Sequence, residues 1–130
     1  MARLLLVLAL LAAQDGPACD KCGKPACQTA VRWVGTPTEA ARKAKADEKL
    51  VFVVHYSGTT LDPRGALTNL DLGDYLNQNF VAAFQKIPVI AGRNPHGMVS
   101  YFCAPDGRVL HCVAGAVDAA TLLLESRWVV

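Results

Sequence analysis

The chain has 130 residues, 52% of them hydrophobic and 18% charged, with a formal net charge of +2. That balance excludes a disordered chain, and the length excludes more than one ordinary domain. The 13 basic residues are scattered apart from Arg42, Lys43 and Lys45 on a solvated helix face, so no basic patch large enough for nucleic acid follows and no such partner is expected.

In chain order, residues 1–18 read as a secretory signal: one charge at Arg3, an apolar run from Leu4 to Ala13, then small residues up to Ala18. The run is too short to span a bilayer as a helix. The protein is expected to be exported, periplasmic or extracellular. Cleavage after Ala18 would leave Cys19 first, and membrane attachment is expected only if Cys19 is lipidated. Cleavage after Ala13 is the alternative.

Residues 19–30 form a cysteine-rich arm, "CDKCGKPAC" followed by "QTA". Cys19 and Cys22 have C-x-x-C spacing followed by Gly23, the first half of a zinc knuckle, and Cys27 offers a third sulfur. No cofactor is assigned; the metal these residues suggest is zinc or copper, and a fourth ligand would have to come from a distant residue such as His111, or from another chain. In an oxidising compartment the competing reading is a disulfide, Cys22 with Cys27 or Cys19 with Cys22. A redox-active Cys19/Cys22 pair would lack the helix N-terminus that lowers thiol pKa values.

Residues 31–130 carry the folded domain. Thr36 or Thr38 can cap a short helix over 38–47, with Pro37 tolerated in its first turn and Ala40, Ala41 and Ala44 recurring at helical spacing. "LVFVVHY", from Leu50, is an unbroken β-branched run, as in a central strand covered on both faces. Residues 64–79 place Leu67, Leu70, Tyr75 and Leu76 at helical spacings, but Gly65 and Gly73 weaken the run, so one broken helix or two short ones are expected, the second from about Asp71.

"FVAAFQKI" reads as a second strand ended by Pro88, and "AGRNPHG" as a loop. "MVSYFCA", "PDG" and "RVLHCVA" make a hairpin, with Gly107 supplying the positive φ. Asp118 then caps a last helix. With a three-residue loop, Cys103 opposes Val109 and Cys112 opposes Ser100. The two cysteines are therefore expected on opposite faces, as small buried residues that do not pair; a two-residue turn would instead put both on one face, in staggered positions.

Several stretches together resemble the thioredoxin-like fold of secreted proteins: Trp33 before an Ala-rich helix, "KLVFVVHYS", "LNQNFVAAFQKI" and "PDGRVLHCVAGAVDAATLLLE". The resemblance covers residues 31–126. It implies an α/β three-layer sandwich, a central mixed sheet with flanking helices. It also implies Trp-Cys-x-x-Cys in the loop after the central strand, yet Thr59-Thr60-Leu61-Asp62-Pro63 stands there. Thr60 replaces the attacking cysteine and Pro63 the resolving one. Gly97 stands beside "MVSYF", where the family has a cis-proline, and Pro95 lies two residues earlier.

What remains at the junction is Ser57, Thr59, Thr60 and Asp62, hydroxyls and a carboxylate before a helix, with His96 on the facing loop. Thr60 or Asp62 fits a helix cap better than a catalytic or anion-binding role. His55 on the central strand reads as a core histidine, and His55, His96 and Asp62 make a thin metal set. No catalytic residue is assigned. The expectation is a non-catalytic binding or scaffold module for a protein or peptide partner, its rivals being an oxidoreductase using Cys19 and Cys22 and a metal-binding protein using Cys19, Cys22 and Cys27.

Overall fold

A computed structural model describes residues 29–57, 65–87 and 97–130. Cys19, Cys22 and Cys27, the signal sequence, and the junction residues Thr59, Thr60, Asp62 and Pro63 lie outside the described residues, as do Pro95 and His96. The described chain runs β1 (Trp33–Val34), α1 (Pro37–Asp47), β2 (Leu50–Tyr56), a 3-10 turn (Ala66–Thr68), α2 (Leu70–Asn79), β3 (Phe80–Lys86), β4 (Met98–Cys103), β5 (Val109–Ala114) and α3 (Ala119–Val129).

The five strands form one sheet in the order β1-β3-β2-β4-β5. β1 and β2 run parallel to β3, while β4 is antiparallel to both β2 and β5. β2 is central, as its unbroken apolar run requires: Val51, Phe52, Val53 and Val54 are buried on alternating faces. Phe52 and Val54 belong to the larger core with Leu67, Leu72, Leu76, Phe80, Phe102 and Leu122, beneath α2 and α3. Val51 and Val53 pack on Ala40 and Ala44 of α1 in the smaller one. Helices on both faces make three layers.

Local chemistry explains the helix ends. The Thr36 hydroxyl accepts from the Glu39 amide, with Pro37 in the first turn. The Asn69 side chain does the same for the Leu72 amide and starts α2. Asp118 caps α3 through the Thr121 amide. The broken 65–79 segment divides as expected, into the 3-10 turn and α2, but Leu70 is exposed and Leu72 takes the core position. Capping by Asn69 sets the phase of the helix and turns Leu70 outward.

Two departures matter more. β1 has only two residues and no sequence signature, yet it extends the sheet and seats Trp33 edge-on to Phe84, 5.3 Å between ring centroids. In the hairpin, Cys103 opposes Val109 as expected, but a bulge follows and Cys112 opposes Tyr101 instead of Ser100. One extra residue, Leu110, on β5 shifts the register beyond it. Cys112 therefore shares the face of Tyr101 and Cys103, correcting the opposite-face expectation, and it is exposed where burial was expected.

Residues 29–32, at the end of the arm, are clamped onto α2. The Asn77 side chain accepts from the Arg32 amide at 2.8 Å and donates to the Ala30 carbonyl at 3.0 Å. Its amide thus serves as a one-residue substitute for a neighbouring strand. The Ala30 amide donates to the Leu67 carbonyl, and Val31 enters the larger core.

Candidate functional site

Ser57, the one described residue of the site expected from sequence, stands at one rim of the sheet. Tyr56 pairs with Lys86 on one side and Met98 on the other, so the carboxyl ends of β2 and β3 and the start of β4 share one row. Backbone bonds continue past the strands: the Ile87 amide to the Tyr56 carbonyl at 2.8 Å and the Ser57 amide to the Gly97 carbonyl at 2.9 Å. The chain leaves the described structure at Ser57 and at Ile87 and re-enters at Gly65 and Gly97. The described ends Ser57, Ile87 and Gly97 therefore stand together on this rim, at the end of the central strand, where the sheet order reverses. Ligands of open α/β sheets bind at such switch points.

Of the residues singled out in the sequence, Ser57 is described. It is buried, and its hydroxyl donates to the Gly97 carbonyl at 3.3 Å. Gly97 immediately precedes β4, so the position assigned to the family's cis-proline does lie beside the end of β2. Gly65, with φ 70°, begins the 3-10 turn, and its carbonyl accepts from the Thr68 hydroxyl at 2.6 Å. This left-handed residue fixes where the 58–64 segment returns.

His55 sits one residue below the rim, half-buried, edge-on to the Tyr101 ring at 5.0 Å. His111 lies elsewhere, on β5. Its Nε2 is 2.5 Å from the Glu125 carboxylate, and its ring stacks between Phe102 and Trp128. With Nε2 engaged by Glu125, a role for His111 as fourth metal ligand would fall to Nδ1. Among the described residues no cluster of three metal-ligating side chains occurs, and no helix is long and apolar enough to cross a membrane.

The two described thiols are free, and Cys103 is far from the rim. Cys103 pairs with Val51, six residues down β2 from Ser57, about 20 Å at strand rise. Burial pushes the Cys103 thiol above its ordinary value of 9.0. At pH 8, therefore, a maleimide or iodoacetamide should label Cys112 rapidly in the native protein and Cys103 only after denaturant is added. Equal labelling of both, followed by peptide mass mapping, would contradict this placement.

No family model and no curated protein matches the sequence. Among solved structures, the solution structure of a "putative disulphide-isomerase" from Bacteroides thetaiotaomicron superposes with a TM-score of 0.56. It covers 76% of this chain and 90% of that one at 21% identity. The fold is thioredoxin-like. At that identity the likeness extends to architecture alone, and within a thioredoxin-like sheet the rim at Tyr56, Ser57, Ile87 and Gly97 is the carboxyl edge to which the loop after the central strand attaches.

Proposed function

We propose that this is an exported thioredoxin-like protein whose rim binds a protein or peptide without exchanging thiols. One observation carries the reading: residues 58–64, "GTTLDPR", between the end of the central strand and the next helical turn, contain no cysteine. Where a nucleophile and a resolving thiol would stand, Thr60 and Pro63 offer a hydroxyl and a ring. Thr59, Thr60, Asp62 and His96 bring hydrogen-bonding side chains suited to holding an extended backbone, while the Ser57 hydroxyl is engaged by the Gly97 carbonyl. The designation of the Bacteroides neighbour belongs to that protein.

The test is reduction of an insulin-type disulfide substrate by the full chain, beside a variant with Cys19, Cys22 and Cys27 replaced by Ser. Both are expected at the background rate of the dithiol reductant. An added unfolded peptide should shift the NMR signals of Ser57, Gly65, Ile87 and Gly97. Thioredoxin-like turnover by the triple variant would end the proposal.

A second reading has an observation in its favour. The Ala30 amide is bonded to the carbonyl of Leu67, two residues past Gly65, where the rim segment returns. Cys27 is two residues before Thr29, within about 7 Å of it along any path of the chain. The described end of the arm thus lies against the helical turn that follows the junction. On this reading Cys19 and Cys22 perform the exchange in place of the missing loop thiols, and turnover by the full chain that Cys22→Ser abolishes would establish it.

A further inference from the structure

We infer that the β5 edge and the outer flank of α3 form one self-complementary surface, and that its occupant is a second copy of this chain. β5 closes the sheet order, so beyond it no described strand stands. The Gly115 amide bonds to the Met98 carbonyl, which makes Met98–Gly115 a hydrogen-bonded pair. By alternation Ser100–Val113 and Phe102–His111 are also bonded pairs. Cys112 and Ala114 then direct their N–H and C=O groups away from β4, toward the open edge.

Edge strands of monomeric proteins commonly carry a charge, a proline or a bulge that blocks pairing. β5, "VLHCVA", has no Lys, Arg, Asp, Glu or Pro. Its bulge lies at the hairpin end, beside Leu110, and leaves His111 to Ala114 regular. The apolar exposure is concentrated here too. Among the described residues seven large hydrophobics are exposed, and five of them are Val109, Leu110, Leu124, Trp128 and Val130.

The helix decides between a second copy and an unrelated strand. α3 divides its flanks: Arg127 reaches over the Tyr75 ring of α2, while Trp128 lies against His111 of β5. Trp128, 75% exposed, therefore borders the open edge, with Leu124 one turn earlier at 68%. An isolated peptide strand would fill the edge and leave both side chains in water. Antiparallel pairing of β5 with its own copy, about a two-fold axis perpendicular to the sheet, brings a second α3 to the same face. Trp128 and Leu124 of each copy are then covered by the other, as an isologous interface requires. Leu124 and Trp128, two of the seven exposed large hydrophobics, are thereby taken out of water, whereas Val109 opposes Cys103 and lies on the α1 face of the sheet. No like charges on β5 oppose the pairing.

Sedimentation equilibrium of the full chain, kept reduced so that interchain disulfides cannot contribute, should show a reversible species of twice the chain mass. Trp128→Glu and Leu124→Glu should each weaken it at least tenfold while leaving the circular dichroism unchanged. Because Trp128 also touches His111, Leu124→Glu is the cleaner variant. In the concentrated wild type the Cys112 and Ala114 amides should exchange hydrogen more slowly than after dilution. A monomer at all concentrations, a dimer indifferent to both variants, or Cys112 and Ala114 amides that exchange equally fast at both concentrations would each overturn the inference. So would a monomer whose β5 is protected only by an added peptide, which would give the edge to a different partner.

Discussion

Phe102→Ala should lower unfolding free energy by about 3–5 kcal/mol, the usual loss when a fully buried aromatic ring is removed. Phe102 is completely buried on β4, its ring centroid 5.2 Å from Phe52 and 5.5 Å from Phe80. Those two rings come from β2 and β3, and on the other side Phe102 stacks on His111 of β5 at 6.0 Å. The ring therefore joins four strands under α2 and α3, and no neighbouring side chain can fill its space without breaking one of these contacts. For a single domain holding about 5–15 kcal/mol in total, such a loss removes a large share of the folded population's margin. Urea denaturation checks it. The midpoint should fall with the slope unchanged, and a loss below about 1.5 kcal/mol would mean that the aromatic cluster is not the keystone described here.

Gly73→Ala is informative because two effects oppose each other and the sign decides. Helix propensity alone favours alanine by about 1 kcal/mol within α2. A Cβ at Gly73, however, would lie 2.5 Å from the Ala30 Cβ and 2.8 Å from the Ala30 carbonyl oxygen. The second contact is with backbone, which cannot rotate away. Residues 29–32 must shift, straining the Ala30 bond to Leu67 and the two Asn77 bonds that clamp the segment. The expected net result is a loss of about 1–3 kcal/mol, typical of overpacking, with faster hydrogen exchange at the Ala30 and Arg32 amides. Adding Ala30→Gly should recover only part, since it removes the side-chain contact and leaves the carbonyl in place. A stabilised Gly73→Ala variant with both amides still protected would show that the close approach is not tight.

The elements legible in the sequence were those whose signal is local. The run from Leu50 to Tyr56 had to be central because it offers no polar face, and Pro105-Asp106-Gly107 had to be a turn because Gly107 supplies positive φ. Features set by partners distant in sequence were not legible. β1 is a strand only because Ala82 and Ala83 stand beside Trp33 and Val34. The Leu110 bulge turns Cys112 to the other face, and nothing within "RVLHCVA" marks it. Gly73 reads as a weak point in a helix until Ala30 is found against it. Of the candidate site only Ser57 is described, bonded to Gly97 at the end of β2. The arm's approach to Leu67 had no sequence signal, because it depends on a single asparagine side chain 47 residues away from the backbone it holds.

The strand order also bears on how the chain folds as it is made. β2 bonds on one side to β3, about 30 positions later, and on the other to β4, where Val51 meets Cys103. A ribosome therefore releases the most apolar strand of the protein long before the residues that cover its second edge exist. Until Cys103 has emerged, the N-terminal parallel half presents "LVFVVHY" with one row of backbone groups unpaired, a template for association with any similar strand. The interval between synthesis of Tyr56 and of Cys103 is thus the window in which this chain most needs a chaperone.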